Sequence, residues 1–277
     1  PLGLIDRESV WKRIQKAGLT EAEVGYLWMD ESLGLILDKL DALGIADNTI
    51  VVFVSDHGSE RKGSLIKTRG TEIPCLIRWP KVIKPGSVSH GLLQNTDFVP
   101  TWFELAGAKA PEDYRMDGKS LLPMFKDPSV SVRKFIYAEQ GPGRSIKTDE
   151  WEYVSLRYTD EQIAAAQGNR AERVFKSFLG LSGGISRAKD FHPGTFSADQ
   201  LYHLAHDPTS QKNLAGDQGY ARQLRKMKSM LTNTVKKLGP RPYGDFVPGK
   251  GTNDAATSQE ILDKLSVYHT TNGKKKK

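Results

Sequence analysis

Asp56 and His57 follow directly on the apolar run Val51-Val52-Phe53-Val54, and Gly58, Arg61 and Lys62 come just after them. A short apolar run of β-branched and aromatic residues reads as a core strand, so the reactive side chains stand where that strand ends. In α/β sheets the loops at the carboxyl ends of strands converge on a crevice where ligands collect. A carboxylate such as Asp56 is a hard oxygen donor suited to Ca2+ or Mg2+. His57 can ligate a metal, zinc most readily, or hydrogen-bond an anion. Gly58 permits a sharp turn or a close backbone approach, and Lys62 offers an ammonium to a sulfate or phosphate group. The same Ser55-Asp56-His57-Gly58 stretch also suits a plain turn whose side chains satisfy backbone donors. The four residues alone leave both readings open.

The elements that must position them are legible around the run. Residues 20–44 predict an amphipathic helix, with Thr20 and Glu23 as a capping box and Gly44 as its stop. Leu27, Leu33, Leu37 and Leu40 recur at helical spacing. The strand over 50–54 is apolar throughout, which predicts burial on both faces in a parallel or mixed sheet. A second strand is expected over Ile73–Trp79, which Pro80 ends, and a short helix over 96–107 with Pro100 in its first turn. After residue 128 the texture changes to short alternating segments at 134–139, 143–148 and 151–158, with 200–204 as a further strand. These predict a small antiparallel sheet. Residues 160–178 read as helix, 180–198 as a Gly/Ser-rich excursion and 218–238 as a basic helix. The fold class is therefore α/β, a mixed central sheet flanked by helices, with a small antiparallel C-terminal subdomain. Its parts are 1–128, 129–240 and an extended tail over 241–277.

Composition sets the outer limits. Of 277 residues, 38% are hydrophobic and 26% charged, as in an ordinary globular protein. No run approaches the roughly 18 apolar residues of a membrane helix, so no membrane is expected as a partner. The net charge is +7, and Lys274–Lys277 supply four of those charges, leaving an unremarkable body. The basic helix carries Arg222, Arg225, Lys226, Lys228, Lys236 and Lys237 without a base-stacking pattern, which reads as a solvated face and no nucleic-acid site. The single cysteine, Cys75, excludes an intrachain disulfide and reads as a small core residue.

Taken in order, the local motifs resemble the type I, formylglycine-dependent sulfatases of the alkaline phosphatase superfamily. The resemblance runs from Tyr26, Met29-Asp30, Gly34 and Leu37 to Gly44, then through Asp47-Asn48-Thr49 and VVFVSDHG. It continues through Lys62-Gly63-Ser64-Leu65, Gly70-Thr71, Ile73-Pro74, IRWP and Thr96-Asp97-Phe98-Val99-Pro100-Thr101. Asp117-Gly118-x-Ser120-Leu121 follows, and LYHLAHDPTSQKNLA over Leu201–Ala215 closes it. The resemblance implies the alkaline phosphatase-like fold and hydrolysis of sulfuric esters. It implies that Asp56 is a late calcium ligand, with Mg2+ the lesser candidate. His57 would touch the metal or the sulfate oxygens. Lys62 would bind sulfate and neutralise the leaving oxygen, with Lys67 its rival because the spacing is one residue longer than usual. Lys67 stands where an acidic residue is common, and Glu72 stands near the usual arginine.

The nucleophile that the resemblance implies is a formylglycine made from Cys or Ser in a C/S-x-P/A-x-R motif. The chain contains no such motif, nor the early Asp-Asp calcium pair. It is therefore expected to correspond to the C-terminal half of a sulfatase, inactive alone, whose partner is the N-terminal half of the same enzyme. A carbohydrate sulfate is the expected substrate, with His192 and Trp151 as candidate sugar contacts, and a periplasmic or secreted location is the expectation. The alternatives are a phosphodiesterase or phosphonate monoester hydrolase of the same superfamily, or a non-catalytic relative that binds sulfated glycans. His203 and His206, three residues apart beside Asp207, would suit a metal, but their strand-and-turn context argues against it.

Overall fold

A computed structural model describes residues 6–56, 58, 68–112, 114, 116–140, 143–157 and 197–238. The chain divides into two compact units, residues 1–53 with 75–88, and residues 54–74 with 89–277. The expected helix over 160–178 and the excursion over 180–198 lie outside the described residues, apart from the last two positions of the latter.

In the first unit, α1 (Arg7–Lys16) is a helix that sequence pattern did not single out. Asp6 caps it, accepting from Glu8 N at 3.2 Å and Ser9 N at 3.0 Å. It packs Val10 and Ile14 inward against α2 (Val24–Ala42). The capping box before α2 is formed as expected. Thr20 N donates to Glu23 Oε2 at 2.7 Å, and Ala22 N donates to Thr20 Oγ1 at 3.3 Å. The Thr20 hydroxyl also donates to that carboxyl and, with the backbone N–H, holds it below the usual carboxylate range. The first turn, Glu21–Glu23, is 3-10 rather than α. Gly44 ends the helix with φ +66, the left-handed conformation glycine adopts most easily.

The leucine stripe of α2 is its more covered face, yet only half-buried, and no residue of α2 is fully buried. Strand β1 (Val51–Val54) pairs with β2 (Cys75–Arg78) in a two-stranded sheet. Here the expectation of burial on both faces fails. Val51–Phe53 are half-buried, Val54 is 41% exposed, and Leu76 is 63% exposed. A pair of strands cannot cover two faces, and continuous apolar runs are stable only where something does.

The second unit has a conventional core. Strands β3 (Ile136–Gln140), β4 (Gly143–Lys147), β5 (Trp151–Leu156) and β6 (Asp199–His203) form an antiparallel sheet in that order. Tyr153 stands opposite Ile146 on one side and Leu201 on the other. Their shared face packs against Met227 and Leu231 of the basic helix Ala221–Leu238. That helix is α6. The helix α3 (Thr68–Thr71) precedes β2 in the chain, while α4 (Phe98–Leu105) and α5 (Leu122–Lys126) precede the sheet.

Asp97, fully buried, organises the segment around α4. It accepts from Gln94 N and Lys119 N, each at 2.8 Å, and from the Arg133 guanidinium, whose Nε lies 3.0 Å away. Thr101 donates to the Asp97 carbonyl at 2.6 Å and accepts from Leu121 N at 2.9 Å. Any Cβ at Gly118 would collide with the Thr96 carbonyl, so only glycine fits. The TDFVPT and DG-x-S motifs are thus two halves of one latch. Replacing Asp97 with alanine leaves the buried Arg133 uncompensated and should cost about 3–5 kcal/mol, read as a lower urea midpoint.

Asp199 is the second such hub. It accepts from Tyr153 Oη at 2.6 Å, Arg157 Nη2 at 2.8 Å and Lys228 Nζ at 2.5 Å. Burial pushes its carboxyl up, but the bonds from Lys228, Tyr153 and Arg157 outweigh that and leave it below the usual range. Its stabilising effect is present above about pH 4 and is lost as pH falls through the lower folded value. Burial drives Tyr153 and Tyr202 far above the ordinary phenol value of 10.0. Their effect is intact below pH 10 and lost above it, because only the unfolded phenols ionise there. The urea midpoint of the second unit should be level from about pH 5 to 9 and fall on both sides.

Candidate functional site

The chain leaves β1 through Ser55 and Asp56, which puts the Asp56 carboxylate just beyond the strand end. It is exposed, and Ser55 Oγ lies 3.4 Å from its Oδ1. Gly58 and Gly70 are buried, and Gly58 N donates to Gly70 O at 3.0 Å. That bond ties Gly58 to the first turn of α3. His57, Lys62, Lys67 and His192 all lie outside the described residues, so of the candidates the structure places Asp56 and Trp151, the latter half-buried at the start of β5.

The segment just past α3 is held by a pair the sequence did not suggest. Glu72, just past α3, meets Lys147 Nζ of β4 at 3.2 Å. Glu72 is exposed, whereas the Lys147 side chain is only 15% exposed. Seventy-five residues separate them, and nothing local in the sequence marks the contact. Glu72, one of the departures from the family pattern, therefore has a partner of its own.

Cys75 lies on β2, half-buried, and burial pushes its thiol up. It is protonated at neutral pH, and it sits half-buried on the two-stranded sheet rather than in the core position the sequence suggested, because that sheet is only partly covered. His203 ends β6 and His206 sits in the following turn, their rings 4.5 Å apart at the centroids. Asp207 is engaged by the backbone, accepting from Gln211 N at 2.9 Å and Lys212 N at 2.7 Å. Its carboxylate shapes the turn.

Among the described residues no group of three or more His, Cys, Asp and Glu gathers as a ligand set. The Asp56 carboxylate is a hard oxygen donor exposed at a strand end, chemistry that suits a calcium ion. No helix among the described residues is long and apolar enough to cross a membrane.

Residues 25–108, which enclose Asp56, match the family model described as Sulfatase. An ulvan-active sulfatase of Formosa agariphila is 32% identical over 211 residues, covering 73% of this chain and 40% of that protein. An N-acetylglucosamine-6-O-sulfatase of Bacteroides thetaiotaomicron is 28% identical over 222 residues, 76% of this chain and 34% of its own. A solved structure of a protein in complex with its substrate D-glucosamine-2-N,6-O-disulfate superposes with TM-score 0.55. It shares 22% identity and covers 82% of this chain and 45% of that one. The chain thus spans well under half the length of these relatives.

If the Glu72–Lys147 pair is a solvent-screened tether, Glu72→Gln and Lys147→Met should show a coupling below about 1 kcal/mol in a double-mutant cycle. Thermal unfolding of the four proteins measures it.

Proposed function

Because this chain belongs to the sulfatase family and has its alkaline phosphatase-like α/β fold, we propose that it forms part of a sulfuric ester hydrolase acting on a carbohydrate sulfate. The observation that carries this reading is the family match over 25–108, with the Asp56 strand end and Lys62 inside it. The carbohydrate class rests on the relatives named for ulvan and for N-acetylglucosamine 6-O-sulfate. A periplasmic or secreted location accords with a polysaccharide substrate.

Asp56, with His57, would hold a divalent cation, calcium before magnesium. Such a cation, when bound, draws charge from the sulfate oxygens. Lys62 places an ammonium against the sulfate and stabilises the charge that grows on the leaving oxygen, with Lys67 as the rival for that task. His192 would contact the sugar.

The chain has no C/S-x-P/A-x-R motif, so the formylglycine nucleophile would come from further sequence, the N-terminal half of the enzyme. The first unit accords with this. It exposes Tyr26 at 68%, Met29 at 45%, Ile36 at 46%, Leu43 at 56% and Leu76 at 63%. Apolar surface of that extent is characteristic of a face that another polypeptide covers. By itself the chain is then inactive.

The test is activity profiling of the full-length protein on a panel of sulfated sugars and a phosphate diester. Sulfated sugars should turn over and the diester should not. Asp56→Ala and Lys62→Ala should each lower kcat by about 10²–10³-fold, with calcium chelation abolishing turnover of the native enzyme. A preference for the diester would overturn the reaction class. A lone 30.8 kDa species with normal sulfatase turnover would overturn the missing nucleophile.

A further inference from the structure

The helix α6 has two faces of opposite character. Met227 and Leu231 are 0% and 1% exposed against the sheet. Arg222, Arg225, Lys226 and Lys236 are exposed and recur at helical spacing on the outer side. The sequence Ala221–Leu238 contains no Asp or Glu. Lys228 pairs with Asp199. Among the described residues no carboxylate lies within ion-pair distance of the four outer cations.

Their placement is electrostatically unfavourable to the helix. Arg222, Arg225 and Lys226 fall in its first six residues, at the end where the helix dipole is positive and where carboxylates, not cations, stabilise. Bound anions would relieve that repulsion. The four cations span about 21 Å from Arg222 to Lys236 at 1.5 Å per residue, three of them in the first six residues and the uncharged Ser229 and Asn233 between, a length that suits a linear polyanion better than a single ion.

Beside the N-terminal end of α6 lies a cluster of rings. Tyr220, 37% exposed, immediately precedes the helix. Its ring lies 5.8 Å from Trp151, which lies 4.4 Å from His203, with His206 a further 4.5 Å on. Half-exposed indole, phenol and imidazole faces accept the apolar faces of sugar rings, while guanidinium groups grip sulfates through paired N–H donors.

We propose that the outer face of α6, with the Tyr220–Trp151 ring cluster, binds a sulfated polysaccharide chain and so holds the polymer to the enzyme. The choice of a sulfated glycan over another polyanion rests on the carbohydrate-sulfatase reading above. Binding depends on charge, so it weakens as salt shortens the screening length.

The experiment is native gel electrophoresis of the full-length protein through gels containing heparin, desulfated heparin or single-stranded DNA, repeated with Arg222→Gln/Arg225→Gln/Lys226→Gln. Heparin should retard the wild-type protein, and the triple variant should bind at least tenfold more weakly. Desulfated heparin should give no retardation, and DNA much less than heparin. The triple variant should keep its melting temperature and its turnover of a sulfated monosaccharide. Heparin affinity unchanged in the triple variant, or equal retardation by desulfated heparin, would overturn the proposal. Equal retardation by DNA, lost in the same variant, would reassign the face to nucleic acid. Absence of turnover on every sugar sulfate, with heparin binding intact, would instead defeat the hydrolase reading alone.

Discussion

A carboxylate removed from water must be surrounded by donors, and the second unit is organised by that requirement. Asp97 is closed in by two backbone N–H groups and the Arg133 guanidinium. Asp199 gathers a phenol and a guanidinium from β5 and the residue that follows it, and an ammonium from α6. Glu152, 1% exposed in the middle of β5, takes the hydroxyl of Ser210, whose own backbone is left-handed at φ 54. An unpaired charge at any of these places would cost several kcal/mol. Each acid therefore dictates which distant segments must come together.

This explains why motifs that look chemical prove architectural. The late segment over Leu201–Ala215 is a clamp on β6. Asn213 Oδ1 accepts from Leu201 N at 3.0 Å and Ala215 N at 2.9 Å, and its Nδ2 donates to the Asp199 carbonyl at 3.1 Å. Leu214, buried, adds a backbone bond to Leu201. Asp56 stands apart from such acids. It ends an apolar strand and faces solvent, without the burial that forces the other acids into structural service.

The two units also differ in how far they satisfy their apolar surface. In the second, Ile146, Tyr153, Leu201, Met227 and Leu231 are each at most 1% exposed. In the first, α1 and α2 meet through Val10 and Ile14, while much of α2 and the β1–β2 pair stays uncovered. Local signals there are all honoured: the Thr20 capping box, the Gly44 stop and the apolar run of β1. What is lacking is cover. The second unit differs in having a fully buried core beneath its sheet and a cationic helix face outside.

By itself the sequence determined the features that depend on near neighbours. Helix caps, glycine stops, the alternating strands of the small sheet and the amphipathic α6 all arise from bonds or periodicities within a few residues, so they are readable in one dimension. The Asp56 strand end was equally legible, because an apolar run that stops in charge is a local pattern. Only the tertiary structure decided the pairings across long separations: Asp97 with Arg133, Glu72 with Lys147, Asp199 with Lys228, and the ring cluster of Trp151 with Tyr220. It also decided that β1 is half-covered rather than enclosed. Such contacts are fixed by which surfaces are left to bury and which charges are left to pair once the local elements have formed, and neither is written at any single position in the chain.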